Sequence, residues 1–241
     1  MQPHVRQEPR IVAFVERQMR AWAMGQEMAE CVEGRRFDRP HQKLGDFITL
    51  SREAGAGGGQ IAEYIGQRLG WEVLDKALVG LVAQRLRTSP ALVEAVDETA
   101  ADWARDILLP WLDRNVISHE KYVVFLCRVV VAAARRGNVV IVGRGANFLL
   151  PRDQGLAVRV VASEKYRIRN VMAARNLSEP EARQYIAEVE RERREFVQRF
   201  FRCDIADPHE YDVVLSVDRL GPQRAAEEII ALFQRRKAWG V

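Results

Sequence analysis

Four glycines in five positions, Gly55, Gly57, Gly58 and Gly59, follow a short apolar run and precede a helical pattern. Glycines let consecutive backbone N–H groups turn inward into a concave anion nest. The helix that follows adds the positive end of its dipole. The segment Ser51-Arg52-Glu53-Ala54-Gly55-Ala56-Gly57-Gly58-Gly59-Gln60 therefore fits a phosphate, and Ser51, Gly55, Ala56, Gly57, Gly58, Gly59 and Gln60 are the candidate binding residues. The plainer reading is a glycine-rich turn without a ligand. So many glycines are entropically costly in such a connection, which favours a ligand.

The loop departs from the phosphate-loop pattern G-x-x-x-x-G-K-[ST]. With Gly57 on the second glycine, Arg52 stands on the first, Gly58 on the lysine and Gly59 on the Ser/Thr that would hold magnesium. The backbone nest survives; the lysine charge and the hydroxyl do not. Phosphoryl transfer relies on positioned positive charge, and one arginine finger contributes about 10³–10⁵ in rate. The missing charge has to come from elsewhere. Arg52, Lys76 and Arg144 are candidates because they stand at strand ends, where ligands bind in open α/β sheets. Arg144 sits between Gly143 and Gly145, directly after the run Val139–Val142. Arg191, Arg193 and Arg194 are further candidates, in a stretch denser in charge than solubility needs; the alternative is a solvated helix face with i,i+4 pairs. Asp75 either caps the next helix or belongs to the site.

These residues need a frame. Phe47–Leu50 reads as a strand, residues 59–69 as a helix closed by Gly70, and Glu72–Leu74 as a second strand. A helix is expected over 76–87 and three more within 90–136, the last broken at Gly137-Asn138. Val139–Val142 is uninterruptedly apolar, as a strand buried on both faces should be. Ala157–Ala162 is a further strand, and Ser163 can cap the helix after it. Ser178 with Glu181 has capping-box form, starting a helix to about Phe201. Val213–Leu215 is a last strand, and Gly221-Pro222 opens a terminal helix. Alternation of this kind predicts a parallel α/β sheet flanked by helices, over 46–241. Residues 1–45 read as an N-terminal helical extension and linker, with Ile11, Val15, Met19 and Trp22 on one face.

The run Ile48-Thr49-Leu50-Ser51-Arg52-Glu53, then Gly55-x-Gly57-Gly58 and Ile61-Ala62, resembles the start of the cytidylate kinase-like family, which uses an S-R-E-x-G-S-G-G form in place of the full phosphate-loop pattern. The resemblance continues at Leu74-Asp75-Lys76, Val142-Gly143-Arg144-Gly145-Ala146, Glu190 to Phe196, Asp207-Pro208 and Tyr211-Asp212. It implies a nucleoside monophosphate kinase fold and transfer from ATP, with Mg2+, to CMP or dCMP. It further implies that Gly55 to Gln60 cradle the donor phosphates and that Asp75 and Lys76 approach the acceptor nucleotide. Arg144 would reach the phosphates, Arg191, Arg193 and Arg194 would belong to a lid, and Tyr211 and Asp212 would border the adenine.

Other classes find little support. The formal net charge of +4 across 241 residues lacks the dense basic run of a nucleic-acid binder. Cys31, Cys127 and Cys203 form no CxxC pair, and the four histidines show no metal-ligand spacing. No apolar stretch is long enough for a membrane span or secretory leader, so a cytoplasmic protein without membrane partners is expected. The metal ligands stay unassigned. Two alternatives remain: a nucleotide-binding regulatory protein with little or no turnover, and an assembly protein that forms a homo-oligomer through residues 1–45.

Overall fold

The computed structural model describes residues 44–75 and 119–239. The N-terminal helix expected before residue 44, the helix expected over 76–87, the helices expected within 90–118 and Lys76 all lie outside the described residues. The chain divides into two compact units, one of residues 46–75 and 138–241, the other of residues 1–45 and 76–137. In the second unit the described element is a helix at His119–Arg136, in which Leu126, Val129, Val130 and Ala132 to Ala134 are buried. Gly137 ends it with a left-handed φ of 73°.

The first unit carries the sheet. Its strands are β1 (Phe47–Arg52), β2 (Glu72–Leu74), β3 (Val139–Val142), β4 (Leu156–Val161) and β5 (Val213–Ser216). All pair in parallel, in the order β2-β3-β1-β4-β5. The central strand explains the composition of its neighbours. Phe47, Ile48, Thr49 and Leu50 are all buried, which requires both faces of the sheet to be covered and removes any polar alternation.

On one face Ile48, Leu50, Val140, Val158 and Val160 meet Ile61, Ala62 and Ile65 of helix α1 (Gly58–Leu69) and Ala225, Ala226, Ile229 and Phe233 of helix α2 (Pro222–Trp239). Each fully buried aliphatic side chain here contributes about 1.5–3 kcal/mol. Phe233 also meets Trp71 edge to face, with ring centroids 5.0 Å apart. Gly70 caps α1 at φ 67°, as expected from its place after the apolar stripe.

Two further helices form an antiparallel-type hairpin joined by a short turn: α3 (Glu164–Arg175) and α4 (Glu179–Phe201). Ser163 Oγ accepts from Tyr166 N, and the capping box at Ser178 and Glu181 is formed on both sides. Ile168 and Val171 of α3 pack with Ala182 and Ile186 of α4, and Ala54 from the glycine loop lies in the same cluster. The loop is thus seated on the hairpin as well as on the sheet.

The last turns of α2 fasten the opposite end of the strands. Arg236 pairs with Asp212 at 3.2 Å and donates to the Arg152 carbonyl at 2.6 Å. Lys237 pairs with Asp46, just before β1. Among the described residues no helix is long and apolar enough to cross a membrane.

Candidate functional site

The chain leaves β1 toward β2 and leaves β4 toward β5, so the C-terminal ends of these adjacent strands diverge. Such a switch point is where ligands bind in open α/β sheets. The glycine loop lies there. Glu53 N donates to the Val160 carbonyl at 3.0 Å, extending the strand pairing, and Ala162 N donates to Glu53 Oε2 at 3.0 Å. Ala54 N donates to Glu190 Oε1 at 2.5 Å, and Ala56 N to the Glu53 carbonyl at 3.2 Å. Asn170 Nδ2 donates to the Gly55 carbonyl at 3.0 Å. Arg167 pairs with both Glu53, at 3.6 Å, and Glu190, at 3.4 Å.

With those bonds made, the amides of Gly55, Gly57, Gly58, Gly59 and Gln60 have no protein acceptor among the described residues. Gly57 takes the N-cap position of α1 at φ 79° and supplies no side-chain cap. The helix end is therefore left with open donors, the condition that favours an anion.

The glycines differ in what requires them. A Cβ on Gly55 would stand 2.5 Å from the Arg167 carbonyl oxygen, a backbone atom that cannot give way. A Cβ on Gly58 would stand 2.7 Å from Cγ and 2.8 Å from Cβ of Arg52. The lysine position is glycine because the stem of Arg52 already fills that space. The Arg52 guanidinium then reaches Gly143, where a Cβ would lie 2.2 Å from Nη1. Gly59 faces nothing within 4 Å and has no left-handed φ. Gly59→Ala is expected to raise stability by about 0.4–1 kcal/mol, through the unfolded chain; urea unfolding checks it.

Arg144 and Arg193 converge with Arg52, and Arg159 lies on the other face of the sheet. Arg144 follows β3 in a run of three left-handed residues, with φ 74° at Gly143, 60° at Arg144 and 65° at Gly145. A non-glycine residue in that region costs about 1–3 kcal/mol and occurs where the surroundings over-determine it. Arg193 Nη1 donates to the Arg52 carbonyl at 2.9 Å. Arg159, in β4, donates to Ser51 Oγ at 3.1 Å. Burial pulls the Arg52 guanidinium down to about 9, with Arg193 and Arg144 adding to the shift and Glu190 and Asp75 opposing it. Burial likewise lowers Arg193, against Glu190 and with Arg159 and Arg144. Among the described residues none of the four guanidinium groups has an ion pair.

The sequence candidates thus separate. Arg52, Arg144 and Arg193 are brought together with the loop residues Gly55 to Gln60. Arg191 and Arg194 are not: both are exposed, and Arg191 pairs with Glu195 at 3.8 Å. Asp75 follows β2 and acts on Arg52 electrostatically. Ser51 points beneath the loop, its hydroxyl engaged by Arg159 and Tyr211. Asp212 immediately precedes β5, away from the loop, and its carboxylate accepts from Ala157 N of β4 at 2.7 Å and pairs with Arg236. That engagement ties the sheet together at the end remote from the glycine loop, so the expected adenine border is not assembled there. Tyr211 is buried, donating to the Ile205 carbonyl at 2.9 Å.

Sequence reading missed Arg159, Glu53, Arg167 and Asn170. For Arg159 a signal existed: a lone arginine in the apolar strand Leu156–Val161. For Glu53 the signal was its place in the Ser51-Arg52-Glu53 run; for Arg167 and Asn170 nothing local distinguishes them from surface residues.

The arrangement fits a polyphosphate, with open amides on one side and unpaired cations on the other. Two things bear on magnesium. Gly59 offers no hydroxyl, and among the described residues no group of three or more His, Cys, Asp or Glu side chains could hold a metal ion.

The family model described as cytidylate kinase-like matches residues 47–219. No curated protein matches the chain. A solved structure of an uncharacterized protein from Eubacterium ventriosum is 16% identical, covering 77% of this chain and 96% of its own, with a TM-score of 0.57. A shikimate kinase from Bacteroides thetaiotaomicron is 13% identical over 77% of this chain and 96% of its own, at a TM-score of 0.40. TT1252 from Thermus thermophilus is 18% identical over 79% and 98%, at 0.41. The first of these shares the fold; the other two are too distant in shape to argue from.

Proposed function

Since the chain belongs to the cytidylate kinase-like family, we propose that it is a phosphotransferase that moves the terminal phosphoryl group of ATP to a nucleoside monophosphate, CMP or dCMP. One observation supports this most: the guanidinium groups of Arg52, Arg144 and Arg193, none of them in an ion pair among the described residues, gather beside five open amides of a strand–loop–helix turn. Uncompensated positive charge in a partly buried site is costly, and a polyanion offsets it.

In this reading the loop amides hold the donor's β and γ phosphates. An anionic oxygen of the acceptor phosphate attacks the γ phosphorus in line; the new P–O bond forms as the bond to the bridging oxygen breaks, and ADP leaves. The attacking oxygen is already ionised, so no general base is needed. Charge on the equatorial oxygens falls to Arg52, Arg144 and Arg193, which act electrostatically. Lys76 and Asp75 belong to the acceptor side. Any magnesium arrives with the nucleotide, held by phosphate oxygens and water rather than by a protein cage.

The test is transfer from ATP, with magnesium, to CMP, dCMP, UMP and AMP. Product from CMP or dCMP above the level of an Arg144→Ala variant is expected. The empty lysine position favours a second reading, nucleotide binding without turnover. Tight binding of ATP by calorimetry with no product from any acceptor would establish that one instead.

A further inference from the structure

Arg159 is only 5% exposed, in a strand otherwise built of apolar residues. Ser51 is its register partner on β1, and its Nη1 donates to Ser51 Oγ at 3.1 Å. Tyr211 Oη lies 3.3 Å from Ser51 Oγ and 2.9 Å from the Ile205 carbonyl oxygen. A phenol has one proton, and the carbonyl can only accept, so the hydrogen between the two hydroxyls is that of Ser51. The bonds therefore run from Arg159 to Ser51 to Tyr211 to Ile205, with every hydroxyl proton assigned. The guanidinium also lies over the Tyr211 ring, 5.6 Å from its centroid.

These contacts fix the guanidinium without neutralising it. One of its five N–H donors is used, by a neutral oxygen. Among the described residues it has no ion pair, and it acts electrostatically on another cation, Arg193. A buried cation held this firmly and left uncompensated is explained by an anion that comes and goes. Its place is distinct from the donor loop. Ser51 and Arg52 are adjacent on β1 and project to opposite faces of the sheet. Arg52 serves the face of the glycine turn; Arg159 serves the other.

We propose that Arg159 is an acceptor-binding residue that receives an anionic oxygen of the group to be phosphorylated, with Ser51 and Tyr211 as its positioning residues. The proposal rests on the phosphotransferase reading of the site. It is tested on the full chain loaded with a non-hydrolysable ATP analogue, by calorimetric titration with CMP, cytidine and inorganic phosphate. Wild type should prefer CMP to cytidine. Arg159→Met should weaken CMP and phosphate by about 10–100-fold, the worth of a charge-assisted hydrogen bond, and leave cytidine and the ATP analogue within about twofold. Arg159→Lys should recover part of the loss, and Tyr211→Phe should weaken CMP alone by a smaller factor. If Arg159→Met does not fold, judged by thermal melting, the lysine and phenylalanine variants decide. Unchanged CMP affinity, or equal loss of CMP and cytidine, overturns the proposal, as does a wild type that takes neither CMP nor phosphate. A wild type that takes no ATP analogue fails the phosphotransferase reading instead, before any Arg159 variant is compared.

Discussion

Arg52→Met is expected to lower phosphoryl transfer about 10³-fold or more while leaving the protein as stable as before, or more so, at pH 7. The rate loss follows from the role: Arg52 is the cation nearest the place a phosphate-loop lysine would occupy, and one such charge is worth about 10³–10⁵ in rate. The stability gain follows from the sign of its shift. Burial lowers the Arg52 guanidinium to about 9, with Arg193 and Arg144 pressing in the same direction. A base whose folded value lies below its unfolded value destabilises the fold at every pH under the folded value, and that penalty fades as pH rises through about 9. At pH 7 the penalty is fully present, so removing the charge relieves it. Methionine keeps the stem that packs over Gly58. A residue kept for folding would lose stability on substitution; one kept for chemistry loses rate alone. Steady-state kinetics with thermal melting on the same samples separates the two, and a large drop in melting temperature would refute the assignment.

The second large effect concerns the position where the usual lysine is missing. Gly58→Lys restores the common pattern on paper, yet it is expected to destabilise the protein by about 1–3 kcal/mol, the cost of forcing atoms into a filled space, and to reduce transfer further. The Cβ would meet Cβ and Cγ of Arg52, the rigid near end of that side chain. Combining it with Arg52→Ala removes the obstruction. The double variant is expected to recover most of the stability and part of the activity, with a coupling of about 1–3 kcal/mol between residues in direct contact. Urea unfolding of the two single variants and the double variant measures that coupling. Simple additivity would show that the two positions do not exclude one another.

That exclusion also marks the limit of what the chain reveals in one dimension. Val139–Val142, Gly70 and the Ser178 capping box are local signals, and each element they announce is found. The parallel sheet followed from their alternation. The glycine loop was legible because strand, turn and helix come in sequence. The exchange of charge between Arg52 and Gly58 was not, because it depends on a side chain crossing a gap between β1 and β3. Arg193 differs from Arg191 and Arg194 only in helical phase, and phase has no meaning until the surface that α4 lies against is known. Asp212 looked like a site residue by its neighbours in sequence; Arg236, far along the chain, claims its carboxylate.

The fastening of α2 has a temporal consequence. Asp46 and Lys237 are 191 residues apart, and the helix that covers one face of β1 is the last described element of the chain. On a ribosome working at about 5–20 residues per second, the central strand emerges on the order of ten seconds or more before α2, the second of the two helices on that face, exists. During that interval α1 is the one of those two helices that can shield its apolar residues. The sheet's earliest strand is therefore among the last to be secured.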